Sequence, residues 1–224
     1  MPYIDGILYE FNRAMNHAVI KRIAKSNKNA SIIIPHNVQG FPVKHIDAHA
    51  FNGHTLRDIT LPHDLETIGD HAFANCKSLK KVMFTSGKVT IYTGAFYNCP
   101  NLEEINSVRL TTIQSAGHSI FSCCHSLKNI WNLEFVGMIY DCTFERCSHL
   151  EEIWFGHNTE IKSGALKGCK ALKTLHFDGN IAIPSKNMKK QMKSYKLVCT
   201  EVTTILDWAY EGYCIEIDDD CLPF

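Results

Sequence analysis

The stretch Ala72-Phe73-Ala74-Asn75-Cys76-Lys77-Ser78-Leu79-Lys80-Lys81-Val82-Met83-Phe84 decides the fold, because the chain writes nearly the same line again. Phe96-Tyr97-Asn98-Cys99-Pro100-Asn101-Leu102-Glu103-Glu104-Ile105 is one copy. Phe144-Glu145-Arg146-Cys147-Ser148-His149-Leu150-Glu151-Glu152-Ile153-Trp154-Phe155 is another. A chain that reuses one short unit stacks it into a coil in which each turn buries its apolar side chains on the next. In such a scaffold the repeated letters build the interior, and function belongs to the surface.

Working outward from that stretch, the template is an aliphatic residue, another three later, Phe, then Cys, then Leu, then Ile-x-Phe. Val43, Ile46, Phe51, Leu56, Ile59 and Leu61 form the first unit, with His54 standing in the Cys place. Leu65, Ile68, Phe73, Cys76, Leu79, Val82 and Phe84 form the second. Ile91, Phe96, Cys99, Leu102 and Ile105 follow, and then Leu110, Ile113, Phe121, Cys124, Leu127 and Ile130, with extra residues around Ala116-Gly117-His118. Val136, Ile139, Phe144, Cys147, Leu150, Ile153 and Phe155 restore the phase, and Ile161, Leu166, Cys169, Leu172, Leu175 and Phe177 close the series with Leu in place of Phe.

Ten cysteines in a small secreted chain would point to disulfides, but five of these recur at one place in the unit. Cys76, Cys99, Cys124, Cys147 and Cys169 are expected to stack as reduced, buried, compact hydrophobes. Cys123, Cys142, Cys199, Cys214 and Cys221 fall outside that ladder, and the sequence leaves their pairing open.

The unit Ile68-Gly69-Asp70-His71-Ala72-Phe73-Ala74-Asn75-Cys76-Lys77-Ser78-Leu79 resembles the leucine-rich repeat, and more closely its BspA-like subclass, read as Ile-Gly-x-x-Ala-Phe-x-x-Cys-x-x-Leu. The resemblance covers residues 35 to 183, and Asp5-Gly6-Ile7-Leu8-Tyr9 is similar to the entry segment of the subclass. It implies a right-handed repeat solenoid with a parallel β-sheet on the concave side and short 3₁₀ or irregular turns on the convex side. It implies recognition rather than chemistry. Asn106-Ser107-Val108 and Trp131-Asn132-Leu133 break the Ile-x-Phe rule, so an irregular sheet is expected in the middle coils.

The ends differ from the repeat. Ile7 to Phe11, Ala18 to Ile23 and Ser31 to Ile34 read as short strands, giving a strand-rich cap over 1–42, before a solenoid of about six coils over 43–183. Residues 184–224 read as a C-terminal capping segment. It contains a solvated run of lysines over 186–196, a helix over 203–210 capped by Thr203 or Thr204, and the acidic Asp218-Asp219-Asp220, read as a terminus rather than a calcium loop.

Of the 224 residues 45% are hydrophobic, which predicts a packed core. Lys and Arg total 23 and so do Asp and Glu, so no global field steers the chain to nucleic acid or an anionic membrane. No apolar run approaches the roughly 20 residues of a membrane span, and the opening lacks the basic and apolar regions of a leader, so a cytoplasmic location is expected. Secretion or surface display is the alternative, if a leader was removed. A monomer is expected.

Motifs for catalysis are missing: there is no Gly-x-Ser-x-Gly, phosphate loop, Gly-x-Gly-x-x-Gly or His-Glu-x-x-His. Cys123-Cys124-His125 sets thiols beside an imidazole, and His45, His49 and His54 lie close in sequence. A thiol or metal hydrolase on those residues is a remote alternative, and no cofactor or metal is expected.

The strand of each coil reads Leu-x-x-Ile-x-Phe, and side chains alternate across a strand. The letter between the inward residues therefore faces out on the concave sheet, and coil by coil it is Thr60, Met83, Asn106, Trp131, Trp154 and His176. Parallel strands lie about 4.8 Å apart, so Trp131 and Trp154 are expected side by side, with Met83 on the same sheet. The next outward column, Asp58, Lys81, Glu104, Asn129, Glu152 and Thr174, is polar and mixed in sign. An apolar strip with a polar flank suits protein recognition, including inhibition of a host effector. A surface adhesin or glycan binder, stacking sugars on the tryptophans, is the main competitor.

Overall fold

A computed structural model describes residues 1–27, 29–115, 117–157, 159–162, 164–178, 181–182, 190, 192–199 and 214–217. In chain order the strands are β1 (Tyr3–Ile4), β2 (Ile7–Asn12), β3 (His17–Ile23), β4 (Ser31–Ile33), β5 (Asn37–Val38) and β6 (Phe41–Ile46). They continue as β7 (Asp58–Thr60), β8 (Thr67–Ile68), β9 (Lys81–Phe84), β10 (Lys88–Ile91), β11 (Glu104–Ser115), β12 (Asn129–Val136) and β13 (Met138–Ile139). Last come β14 (Glu152–Phe155), β15 (Thr159–Ile161), β16 (Thr174–Phe177), β17 (Ile181–Ala182), β18 (Lys196–Cys199) and β19 (Cys214–Ile217). They form a parallel-strand solenoid of about seven turns, the architecture the repeat implies.

Each coil places two short strands, so two ladders climb the solenoid. The concave ladder runs β4, β7, β9, β11, β12 and then β14, β16, β18, β19, all parallel. The second ladder runs β3, β6, β8, β10, β11, β12, and a separate sheet of β13, β15 and β17 lies beyond it. The second ladder begins with β3, which β2 covers as an antiparallel hairpin partner, and the concave ladder begins with β4, which pairs with β7. The helix expected over 203–210, Lys186 and Lys189 of the lysine run and the acidic tail lie outside the described residues, while Lys190, Lys193 and Lys196 are exposed.

The interior explains the template. Phe51, Phe73, Phe96, Phe121 and Phe144 stack face to face at centroid spacings of 4.8, 5.1, 5.3 and 5.5 Å, and all are buried. Beside them each ladder cysteine donates its S–H to the carbonyl of the Phe one coil earlier: Cys76 to Phe51, Cys99 to Phe73, Cys124 to Phe96, Cys147 to Phe121 and Cys169 to Phe144, at 3.0 to 3.2 Å. A thiol fits because it fills the gap as an apolar group and gives a second hydrogen bond to carbonyls that already accept a turn N–H, as Phe51 O does from His54 N and Phe73 O from Cys76 N. Burial holds the Cys147 thiol well above its usual range and pushes Cys169 up to about 12, and Cys99 is held well above it first by its contact with Cys124 and then by burial. All five are free thiols, as expected of packing cysteines.

The first coil shows why His54 replaces cysteine. The imidazole reaches Asn27 O from Nε2 at 3.0 Å, the carbonyl that takes the place of the Phe carbonyls of later coils, while Nδ1 accepts from Leu56 N–H at 3.1 Å. The residue before each Cys position turns the chain with positive φ: Gly53, Asn75, Asn98, Cys123, Arg146 and Gly168, between 57° and 79°. Only glycine, and to a lesser degree asparagine, take that conformation cheaply, which accounts for the letters preferred there.

Candidate functional site on the concave face

The concave ladder sets its outward residues in register. Ile33, Thr60, Met83, Asn106 and Trp131 pair successively along β4, β7, β9, β11 and β12. Trp154, His176 and Val198 continue along β14, β16 and β18. Thr60, Met83, Asn106, Trp154 and His176 are partly exposed, because their neighbours Ile59, Val82, Ile105, Ile153 and Leu175 take the inward positions of the same strands. Ile33 opens the column at 76% exposure.

Beside it, Asp58, Lys81, Glu104 and Asn129 pair in one run and Glu152 and Thr174 in another. Lys81 Nζ lies 3.1 Å from Glu104 Oε2, and Asn106 Nδ2 donates to the same oxygen at 3.5 Å. Glu152 Oε2 lies 3.1 Å from His176 Nε2. That imidazole stacks on Trp154 at 4.0 Å with planes 4° apart. The glutamate therefore fixes the histidine, and the histidine fixes the indole.

Between the two runs the register slips. Ile153 and Phe155 are two residues apart, whereas Ile130 and Phe135 are five apart, and the pairing between β12 and β14 is Phe135 with Phe155. The pairing between β12 and β14 does not set Trp131 beside Trp154: the pair it gives is Phe135 with Phe155, and Glu134, the residue before Phe135, lines one cleft with Trp154. At the slip the pairing of β11 with β12 breaks between Asn106 and Thr111, and residues 107–110 of β11 face Asn132 alone, which takes φ 57° and whose Nδ2 donates to Ser107 O at 3.0 Å. The side chains of Trp131 and Asn129 lie outside the described part of the molecule.

The slip opens a cleft of about 300 Å³ lined by Ile130, Asn132, Leu133, Glu134, Trp154, Phe155 and Asp178. Ile130, Leu133 and Phe155 are buried and make its apolar base. Glu134 lies over Gly156, where an added Cβ would meet the carboxylate end of its side chain and move it aside. Burial, then the like charge of Asp178, raises the Glu134 carboxyl above its usual value, with His157 acting the other way. His157 Nε2 sits 3.2 Å from Asp178 Oδ2.

A family description, BspA type Leucine rich repeat region in 6 copies, matches residues 44–173 and 104–196. The chain belongs to the BspA-type leucine-rich repeat family. A leucine-rich repeat protein of T. pallidum, TpLRR, is similar in structure at a TM-score of 0.66 and 21% identity, covering 96% of this chain and 97% of that one. One from Bacteroides capillosus ATCC 29799 gives 0.51 at 24% identity over 59% of this chain and 96% of that one. These likenesses concern the fold. No curated protein matches the chain.

In this BspA-type chain the residues weighed for chemistry are engaged separately. His45 Nδ1 meets Thr67 Oγ1 at 2.8 Å and its ring lies against His17, His49 stacks on His71, and the His54 ring is turned inward to Asn27 O and Leu56 N–H. Among the described residues no group of three or more His, Cys, Asp and Glu is placed to hold a metal. Cys124 belongs to the buried ladder, and His125 Nδ1 is directed to Arg146 O at 3.0 Å. Among the described residues no helix is long and apolar enough to cross a membrane.

Sequence reading passed over Ile33, Glu134 and Asp178. Ile33 had a signal: Ile32-Ile33-Ile34-Pro35-His36-Asn37 parallels Ile59-Thr60-Leu61-Pro62-His63-Asp64, and the two strands pair in that register. Glu134 had only the length of the bulge.

Proposed function

We propose that this BspA-type repeat protein is a non-enzymatic scaffold that recognises a protein partner as a monomer through its concave face. The observation that carries the reading is the outward column, in which Ile33, Met83 and Trp154 present apolar surface between polar flanks on a rigid ladder. Occupation of a host effector is one form of this role, carried out in the cytoplasm. Affinity capture with wild type and with Trp131→Ala plus Trp154→Ala tests it. The double variant is expected to melt as wild type does and to lose the partner. Undiminished capture would remove the concave face from the reading.

A glycan-binding adhesin at the cell surface is the second reading, favoured by one observation. Trp154 is held flat on His176 at 4.0 Å, the kind of platform on which a sugar ring stacks. Binding on a glycan array that disappears in Trp154→Ala would decide for it.

A further inference from the structure

We infer that the cleft between β12 and β14 receives a basic side chain, arginine or lysine, presented by the protein partner. The inference rests on the concave-face reading and adds the chemistry that the face selects. The cleft joins an apolar base, Ile130, Leu133 and Phe155, to an aromatic wall, Trp154, and two carboxylates, Glu134 and Asp178. A long basic side chain matches each part: its methylene stem covers the base, its cation lies against the indole, and its N–H groups donate to the carboxylates.

Three features distinguish this place from the rest of the surface. Several carboxylates elsewhere are joined to lysines, as in Lys81 with Glu104, Lys80 with Glu103, and Lys128 and Lys173 with Glu151, while Glu152 is joined to His176 and, in the cleft itself, Asp178 to His157. Among the described residues no lysine or arginine forms an ion pair with Glu134. The Glu134 and Asp178 charges also oppose each other, and partial burial adds to the cost, so an arriving cation relieves both. A neutral sugar would stack on Trp154 yet leave that repulsion in place.

The volume, about 300 Å³, lies at the lower end of small-ligand pockets and suits one side chain. Past Asn132, β12 crosses to the second ladder, where Glu134 pairs with Thr112, and the same run brings Glu134 into one cleft with the partly exposed Trp154, so an anion meets an indole there.

The test follows the Trp154 indole N–H resonance of the full chain by NMR at low salt. The probes are Ac-Arg-Arg-Arg-NH2, the matching norleucine tripeptide, and a trisaccharide of N-acetylglucosamine. The arginine peptide is expected to give a saturable shift that weakens about tenfold in E134Q/D178N, with no saturable shift from the other two. Glu66→Gln plus Glu103→Gln removes the same charge away from the cleft and should leave the affinity within about twofold. Equal response to norleucine, equal loss in the control variant, or no saturable shift overturns the proposal. A partner lost from Trp131→Ala plus Trp154→Ala but fully captured by E134Q/D178N would refute the basic side chain and leave protein recognition standing.

Discussion

Two corners of the same solenoid obey different rules. Leaving β9, the chain ends its strand at the inward Phe84, turns through Thr85-Ser86-Gly87 with the Thr85 hydroxyl donating to Leu61 O at 2.8 Å, and starts β10 afresh. Three strands on, β12 does not stop: it runs from Ile130 on the concave ladder to Phe135 on the second ladder through a bulge. The interiors of the two coils are alike, with Phe73 and Phe121 in one stack and Cys76 and Cys124 in one ladder. The corner can thus vary while the stack stays fixed, and the variable corner is where a cleft opens.

If the stack is what tolerates the variation, breaking it should cost most. Phe96 lies between Phe73 and Phe121 with planes within 8° of both. Phe96→Ala removes a buried aromatic ring and leaves a cavity, an expected loss of about 3–5 kcal/mol in urea unfolding. Because each repeat touches only its neighbours, the loss should split the unfolding transition rather than shift it as a whole. A cost below about 1 kcal/mol would mean that the stack does not hold the coils in phase.

The second comparison is between one residue of each corner. Asn132 sits at φ 57°, whereas Met83 is in regular strand. A β-branched residue strains the left-handed region and suits the extended one. Asn132→Val is therefore expected to cost about 2 kcal/mol more than Asn132→Gly, and Met83→Val to be nearly neutral. Matched melts of the three variants measure this. Equal costs at 132 for Val and Gly would mean that the bulge relaxes without loss.

The same contrast explains what the residues disclosed in advance. Phe73, Cys76 and Leu79 were legible because stacking makes every coil solve one packing problem with one set of letters. Even His54 announced an exception at the right place, though not the Asn27 carbonyl that explains it. The cleft was hidden because strand alternation fixes which way a residue faces but not which strand position it meets. Asn132-Leu133 reads as a flaw in the pattern, and only the pairing of Phe135 with Phe155 brings Glu134 into one cleft with Trp154.

The smallest expected effect concerns Glu134 itself. Its carboxyl holds the proton more tightly in the folded chain than in the unfolded one, first through burial and then through Asp178. In the window between the unfolded value, about 4.3, and the raised folded value, the native state binds more protons, so stability falls as pH rises through it. Above that window the full cost of the charge is present, and below it none. Glu134→Gln keeps the shape and removes the charge, so it should raise the melting temperature at pH 7 to 8, with the gain closing toward pH 4. The corresponding change at the other corner, Glu103→Gln, removes a carboxylate that Lys80 holds at 2.8 Å and whose value is lowered by that pair. It should not raise the melting temperature at any pH. A gain at 134 that persists unchanged at pH 4 would come from packing instead, and the carboxylate would then not be poised for a cation.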